Sequence, residues 1–320
     1  MMISRRLIRI KIVQVLYAYF TNEGSTIDVS DKELTFSIKK AYDLYHYLIL
    51  LVVKVADYAA ERAEIASNKI LPSFEDLHPN VRFIENKVIA QLRNSKQFQD
   101  YISQNKISWH EYPELIKKLY QKVTESSYFQ DYMESEKIGY DIDKKLVIDI
   151  LSKELEGWDF LYQLLEEQSV YWNDDIEFVV SMIIKTLERF KESNPSPSLM
   201  PLYKNEDDRE FSKSLLRKTI LKLPEYRKLI EKYTQNWEVE RIASMDILIM
   251  AIALSEILEF PSIPIKVTLN EYIEIAKFYS THKSNEFVNG ILDKIVTDLQ
   301  NENKIVKTGR GLIEDSDIPV

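Results

Sequence analysis

The feature of this chain that most limits its possible folds is the scarcity of glycine, with six glycines in 320 residues. Sheet-rich folds and folds that hold nucleotides through a phosphate loop need glycine for tight turns and close backbone approach. The sequence contains neither a GxGxxG string nor a GxxxxGK[ST] string. Lysine, glutamate, leucine and isoleucine are abundant and recur with a helical period over long segments. The sequence therefore predicts an all-α protein.

Length and cysteine usage narrow the class of protein further. A chain of 320 residues is long enough for about two domains. The absence of cysteine excludes a disulfide framework, a thiol nucleophile and a cysteine-ligated zinc site. Apolar runs such as Tyr47 to Val53 are much shorter than the ~20 residues that span a bilayer. We expect a cytoplasmic protein with no membrane span, and no metal, cofactor or catalytic site is indicated by the four histidines or the scattered carboxylates.

The stretch from Arg5 to Phe20 predicts a largely buried helix with a basic amino end. Four cations precede the first acidic residue of a chain whose net charge is -9: Arg5, Arg6, Arg9 and Lys11. A helical projection places the three arginines on one arc, with Lys11 and Gln14 opposite. Apolar residues occupy most of the other positions, so the helix is expected to be anchored in a core with an exposed arginine-rich end.

Two other interpretations fit a basic segment of this kind. A run of charge is often only a solvated face, and a basic segment before an apolar one also resembles the start of a secretory signal. The apolar part is interrupted by Gln14, contains Tyr17 and Tyr19, and is followed by no small-x-small cleavage site. These features argue against a secretory signal but leave the solvated face open.

The rest of the chain predicts helices separated by turn-forming segments. On the amino-terminal side the predicted helices are Asp31 to about Asn68 with Asp31 as N-cap, Val81–Asn94, Pro113 to about Met133, Asp143–Gln168 and Asp174–Glu192. On the carboxy-terminal side they are Asp207–Lys222, Glu225–Tyr233, Trp237–Leu258, a helix opened by Pro264 and a helix capped by Ser284. The helix from Trp237 to Leu258 is apolar on all sides, which predicts that it lies at the centre of a bundle.

The clearest break in the pattern is Ser193–Pro201, which contains three prolines and cannot continue a helix. We therefore expect an amino-terminal helical region over 1–192, a Pro/Ser linker over 193–205, a helical bundle over 206–302 and a disordered tail over 303–320. Gly290, inside a predicted helix, costs ~1 kcal/mol relative to alanine. The expected reason is the close approach of a neighbouring helix.

Three segments together resemble one known family. They are RRLIRIKIVQVLY (Arg5–Tyr17), IPIKVTLNEYIEIAK (Ile263–Lys277) and SNEFVNGILDKI (Ser284–Ile295). Their order and joint presence resemble the NusB family of transcription antitermination factors, over the first helix and about residues 205–300. The resemblance implies an all-α fold of two small bundles, and a protein that is not an enzyme.

The resemblance also implies partners and site residues. Members of the family pair with the ribosomal protein NusE and bind a boxA element in nascent rRNA transcripts. With other Nus factors they join the RNA polymerase elongation complex and sustain its transcription of rRNA. By position, the residues that match or adjoin the RNA-binding motif are Arg5, Arg6, Arg9, Lys11, Gln14 and Tyr17. The candidates for the NusE-facing surface are Asp246, which matches an acidic position, together with Lys283 and Glu286.

The chain also departs from the family pattern. Leu7 stands where a third consecutive arginine is common, and Lys283 stands where an acidic residue is common. Four neutralised phosphates would give a salt slope of about -3 for a single strand, which is a modest affinity. Residues 21–200 exceed the usual connection and form an additional helical region of unknown role.

Two alternative functions were considered. NusB-like bundles also occur attached to RNA cytosine methyltransferases, but such an enzyme needs a cysteine and a glycine-rich cofactor loop, and this chain has neither. A helical protein-protein interaction factor without RNA activity stays open at this point.

Overall fold

The computed structural model describes residues 1–22, 26–234 and 243–312. The structure is 74% helical, and no strand occurs in the described ranges, which confirms the predicted all-α class. The helices are α1 (Arg5–Thr21), α2 (Ile27–Ser67), α3 (Phe74–Leu77), α4 (Lys87–Asn94), α5 (Lys96–Gln104), α6 (Pro113–Glu125), α7 (Ser127–Glu134), α8 (Tyr140–Ile150), α9 (Asp159–Gln168), α10 (Ile176–Glu188), α11 (Glu206–Thr234), α12 (Ser244–Glu259), α13 (Ile265–Tyr279) and α14 (Ser284–Asn301).

The chain forms two compact units. Unit 1 comprises Met1–Met2 and Lys39–Leu202, and unit 2 comprises Ile3–Ile38 and the chain from Tyr203 onward. The predicted division grouped α1 with residues 1–192, whereas the structure places α1 and the start of α2 with the carboxy-terminal helices. The reason is packing, because α1 contacts α11 and α12, and sequence distance carries no information about such contacts.

Helix α12 is the centre of unit 2. It contacts α1, α11, α13 and α14, and from Leu248 to Ile257 every residue is buried. The apolar composition on all sides of this helix predicted that position. The described part of the helix begins at Ser244, whereas the predicted start at Trp237 lies outside the described residues.

Helix α11 is continuous through Pro224, where the sequence predicted two helices. Proline lacks the N–H that an interior helical residue donates. Buried residues continue on the same side of the helix before and after the proline, with Leu216, Ile220 and Leu223 followed by Tyr226. Tertiary packing of this stripe therefore outweighs the local cost of an exposed proline.

Several predicted boundaries in the amino-terminal half were also wrong. Asp31 is not an N-cap, because α2 begins at Ile27 and Asp31 forms an ion pair with Arg217 of unit 2. The predicted helix from Pro113 to Met133 is divided at Ser126, whose hydroxyl caps α7. The predicted helix from Asp143 to Gln168 is interrupted near Gly157, whose φ of +68° is left-handed and suits glycine.

The core of unit 1 is built around the part of α2 that follows Lys39. The Tyr42 hydroxyl donates to the Met200 carbonyl at 2.9 Å, and the Trp109 indole donates to the Tyr47 carbonyl at 2.8 Å. His46 is fully buried and stacks on Tyr101 with ring centroids 3.8 Å apart. His46 is therefore a core residue.

The expected disordered tail is ordered over its first ten residues. Thr308 donates its N–H to the Pro261 carbonyl at 3.0 Å. The Lys307 ammonium donates to the carbonyls of Ile257 and Phe260 at 2.8 and 3.2 Å, which satisfies the carboxy end of α12. The rest of the tail, 313–320, lies outside the described residues.

Among the helices of the described ranges, none combines the length and the apolar character that crossing a bilayer requires.

Candidate nucleic-acid interface

The basic amino end of α1 begins with a capping residue. The Ser4 hydroxyl accepts the Leu7 N–H at 3.2 Å, so the helix starts at Arg5. Behind this end the apolar residues are buried in unit 2, among them Leu7, Ile8 and Ile12. The arginines are thus held at the end of a helix whose apolar side is buried in the core of unit 2.

Arg5 and Arg6 are partly exposed and each has a carboxylate partner. Arg5 donates from Nε to Asp208 at 2.9 Å, and its guanidinium lies 4.9 Å above the ring of Phe211. Arg6, 54% exposed, makes a two-pronged contact with Glu271 at 2.9 and 3.0 Å. The hydrogen bond with Glu271 raises the pKa of Arg6. Two of the five N–H donors of Arg6 are used in this way, which leaves three for another ligand.

Arg9 lies in the interior, which corrects the expectation of an exposed arc of three arginines. Its side chain is only 3% exposed, and it donates from Nε and Nη2 to the two carboxylate oxygens of Glu256 at 2.8 and 2.7 Å. The physical reason is that α12 packs on this side of α1. A helical projection cannot reveal that neighbour.

The Arg9–Glu256 pair is part of a buried polar network. Glu256 also accepts the Thr268 hydroxyl at 2.8 Å and the Tyr272 hydroxyl at 3.1 Å. Burial alone would lower the pKa of Arg9, but the hydrogen bonds and charge of Glu256 raise it above its ordinary value. Burial raises the pKa of Tyr272, and the negative charge of Glu256 raises it further. The network therefore holds a charged arginine and a neutral tyrosine.

The later motif residues occupy different environments. Lys11 is buried rather than available at the surface, so it does not compensate for the missing third arginine. Gln14 is half-buried and Tyr17 is exposed. Tyr17 follows Arg6 by eleven residues, which places both on the same side of α1 within about 20° and about 16 Å apart along the axis. The structure thus brings Arg5, Arg6 and Tyr17 to the surface, and leaves Arg9 and Lys11 inside.

The candidate partner-binding residues lie around the amino end of α14. Asp246 is buried and accepts the Ser284 hydroxyl at 2.9 Å. Ser284 is the first residue of α14 rather than its N-cap, a position held by Lys283. Lys283 and Glu286 are exposed. Asp246 therefore fixes the start of α14 from the interior of the bundle. Lys283 and Glu286 lie on the solvent-exposed side of the same helix end.

Gly290 lies on the same side of α14, one turn beyond Glu286 and two turns beyond Lys283. No atom lies within 4 Å of a Cβ built at this position, and the glycine is exposed. The expected close approach of a neighbouring helix is therefore wrong. Open surface, and not internal packing, surrounds the missing side chain.

Known proteins match the carboxy-terminal part of the chain. The model of the NusB family matches residues 177–297. A protein named "Transcription antitermination protein NusB" from Salinibacter ruber is 44% identical over 114 residues, which are 36% of this chain and 71% of that protein. The chain belongs to the NusB family.

Two further relatives that carry the NusB name match over similar lengths. The protein from Chloroherpeton thalassium is 40% identical over 106 residues, covering 33% of this chain and 50% of the relative. The protein from Natranaerobius thermophilus is 36% identical over 95 residues, covering 30% of this chain and 68% of the relative. No solved structure matches the chain.

The structure adds α1 to the helices that the NusB match covers. The matched residues 177–297 include α11 to α14 but not α1. Helix α1 nevertheless packs on α11 and α12, so the arginine-rich helix and the matched helices α11 to α14 belong to the same unit. Most of unit 1 lies outside the match.

Three carboxylates that pair with the arginines were not predicted from the sequence: Asp208, Glu256 and Glu271. Glu256 carried a signal, because apart from Ser255 it is the one polar residue between Ile247 and Leu258. A carboxylate in such a helix must be paired with a cation or a strong hydrogen-bond donor. Asp208 and Glu271 lie among many charged residues and carried no comparable signal.

Proposed function

We propose that the chain is a transcription antitermination factor that binds a boxA-type element of nascent rRNA transcripts together with ribosomal protein NusE. In this role it joins the RNA polymerase elongation complex with other Nus factors and supports processive transcription of rRNA. The proposal is supported by family membership, by the printed name of the three relatives, and by the surface of α1.

The observation that carries the RNA part of the proposal is that Arg6 and Tyr17 are both exposed on the same side of α1. An exposed guanidinium can neutralise a phosphate, and an exposed aromatic ring can stack on an unpaired base. Single-stranded RNA offers both groups along one strand. Arg5 extends the basic surface at the same end of the helix.

The affinity of α1 for RNA is expected to be low without a partner. Only Arg5 and Arg6 are available to phosphates, which corresponds to a salt slope of about -1.4 for a single strand. Both arginines are already paired with carboxylates, Asp208 and Glu271. A phosphate must therefore use the remaining N–H donors or displace a carboxylate, and either route limits the gain in free energy.

The partner surface in this proposal is the exposed side of α14. Lys283, Glu286 and Gly290 lie on one side of the helix, and the buried Asp246 fixes its start. The open space beside Gly290 lets the backbone of another chain approach the helix closely. This is the surface at which we place NusE.

The carboxylate partners of Arg5 and Arg6 also favour a second candidate function. In that case the chain is a helical protein-protein interaction factor with a NusB-like fold and no RNA activity. The arginines would then serve only to hold α1 against α11 and α13. The two functions differ in whether RNA is bound.

The deciding experiment is a fluorescence anisotropy titration with labelled boxA-type RNA and a scrambled RNA of the same composition. The chain is titrated alone and with NusE of the same organism, at two salt concentrations. We expect weak, salt-sensitive binding by the chain alone and tighter, sequence-selective binding by the pair. Formation of a NusE complex that binds neither RNA would support the second function instead.

A further inference from the structure

Glu271 of α13 lies between two arginines of α1. It accepts both hydrogen bonds of the two-pronged contact with Arg6, at 2.9 and 3.0 Å, and its Oε2 lies 3.7 Å from Nη1 of Arg9. The two shorter distances are those of hydrogen bonds, whereas 3.7 Å is an ion pair without a hydrogen bond. Glu271 is therefore bonded to the exposed arginine and lies close to the buried one.

The two arginines differ in their access to RNA. Arg9 gives Nε and Nη2 to Glu256, and its side chain is 3% exposed, so it is out of reach of RNA. Arg6 is exposed, and the edge formed by its Nε and Nη2 is filled by Glu271. A pair of N–H groups on one edge of a guanidinium is what binds a phosphate with two parallel hydrogen bonds. Glu271 therefore occupies donors of Arg6 that suit an RNA phosphate.

The carboxylate beside Arg5 is placed differently. Asp208 accepts the Arg5 Nε–H at 2.9 Å and is 8% exposed, and among the described residues Arg5 is the one cation in ion-pair contact with it. Release of Asp208 would leave a nearly buried carboxylate without a cation, which is costly. Release of Glu271 would not, because Arg9 stays beside it. Glu271 is thus the carboxylate that can be exchanged.

We propose, on the basis of the proposed RNA-binding function, that Glu271 sets the RNA affinity of α1 by holding Arg6 until a phosphate replaces it. The released carboxylate then closes on Nη1 of Arg9. A phosphate that used only the remaining N–H groups of Arg6 would lie beside a second anion on the same guanidinium, and the two would repel each other. The move of Glu271 to Arg9 removes this repulsion and keeps the carboxylate paired.

The test is an anisotropy titration of the full chain with labelled boxA-type RNA, alone and with NusE of the same organism. Glu271→Gln keeps the shape of the side chain and removes its charge, so Arg6 loses a strong competitor for the phosphate. We expect about threefold tighter binding, which is the size of effect that a surface ion pair has. The salt slope should become larger in magnitude by about 0.7. The variant should keep the helical circular dichroism of the wild type.

The matched control is Glu274→Gln, which removes the same charge from the same helix. The charge of Glu274 also acts on Arg6, but these two residues, both described by the structure, share no hydrogen bond. Glu274→Gln should therefore tighten binding less than Glu271→Gln does, and equal gains would overturn the proposal as a general charge effect. When Arg6→Ala is already present, Glu271→Gln should give no gain. A gain that persists there would overturn the proposal too.

A second measurement does not use RNA. Phenylglyoxal modifies accessible guanidinium groups, and tandem mass spectrometry of the digested protein measures the rate at Arg6. This rate should rise in Glu271→Gln and stay close to the wild-type value in Glu274→Gln. An unchanged rate in Glu271→Gln would show that Glu271 does not hold Arg6, and would overturn the proposal.

The titrations also separate this proposal from the RNA-binding function on which it rests. A wild type that binds RNA, with a Glu271→Gln variant that binds no more tightly, would overturn the role of Glu271 alone. Absence of RNA binding in the wild type and in both variants would overturn the RNA-binding function together with the role of Glu271.

Discussion

Arg9 of α1 and Glu256 of α12, 247 residues apart in the chain, form a buried two-pronged ion pair with N···O distances of 2.8 and 2.7 Å. The pair joins the first helix to the centre of the carboxy-terminal bundle. Thr268 and Tyr272 complete the hydrogen bonding of the carboxylate. Arg9, which the motif suggested as an RNA contact, therefore attaches α1 to the interior of the bundle.

Replacing Arg9 should therefore unfold unit 2 more readily and not simply weaken RNA binding. Arg9→Met leaves Glu256 buried without its cation, which costs about 3–5 kcal/mol. Denaturant titration followed by circular dichroism measures the loss. The control is Arg6→Met, which breaks an ion pair at the surface and should cost less than about 1 kcal/mol.

The stability of a double variant tests whether Glu256 is the partner of Arg9. Arg9→Met combined with Glu256→Leu removes both charges, and should recover much of the stability that Arg9→Met loses. Equal stability of the single and double variants would contradict the assignment of Glu256 as the partner.

RNA binding should depend on Arg6. Removal of one charge-assisted contact in Arg6→Ala should weaken boxA-type RNA binding about tenfold and reduce the magnitude of the salt slope by about 0.7. Anisotropy titrations at several salt concentrations give both values. Lys294→Ala removes an exposed cation from α14 and should leave binding unchanged. An equal loss in the two variants would indicate a general charge effect.

Gly290→Ala should separate stability from partner binding. Because nothing lies near the added Cβ, alanine should stabilise α14 by up to about 1 kcal/mol. If NusE approaches the helix here, the same variant should bind NusE more weakly in a calorimetric titration. An unchanged affinity for NusE would contradict a partner contact at Gly290.

The carboxy-terminal segment should respond to Gly311→Ala. A Cβ at Gly311 would overlap the Pro261 carbonyl, so alanine should detach the segment that Lys307 and Thr308 hold on α12 and the following loop. We expect a loss of about 1–3 kcal/mol and faster tryptic cleavage after Lys307. Gly290→Ala, which adds the same atom in open space, is the matched control and should not change the cleavage rate.

The stability of unit 1 should fall in mild acid because of His46. Burial lowers the pKa of His46 from 6.5 to about 4, so the unfolded chain binds this proton at a higher pH than the folded chain does. The free energy of unfolding therefore decreases as the pH falls from about 6.5 to about 4, by on the order of 3 kcal/mol. Denaturation at several pH values, followed by tryptophan fluorescence, measures this decrease.

Three of the four tryptophans, Trp109, Trp158 and Trp172, belong to unit 1, so their fluorescence is a suitable signal for His46. In His46→Phe, which keeps a ring beside Tyr101, this part of the pH dependence should disappear. A pH dependence that is identical in the wild type and the variant would show that His46 is not its source.

Element class was predictable, and boundaries were less so. The scarcity of glycine indicated helices, and the apolar sides of α12 indicated its central position. The continuity of α11 through Pro224 was not predictable, because the buried stripe that carries the helix past the proline exists only in the folded unit. The division at Ser126 depends on a local cap whose strength relative to the flanking helices a periodic pattern does not reveal.

The candidate site was predictable as a location but not as a set of available groups. Periodicity placed Arg5, Arg6 and Arg9 on one arc of α1, and the resemblance marked Tyr17. Which of these residues reach solvent depends on the helices that pack around α1, and those helices lie in the carboxy-terminal part of the chain, from Glu206 onward. Gly290 shows the reverse case, since a position expected to be crowded is open.

The sequence by itself determined the helical class, the membership of the carboxy-terminal part in a family, and the concentration of cations at the start of α1. These properties follow from composition, period and local motif. The tertiary structure alone decided that Arg9 is an internal ion-pair partner and that Arg6 and Tyr17 are surface groups. Burial and ion pairing depend on which distant side chains share a volume of space, and Glu256 meets Arg9 only when α1 and α12 pack together.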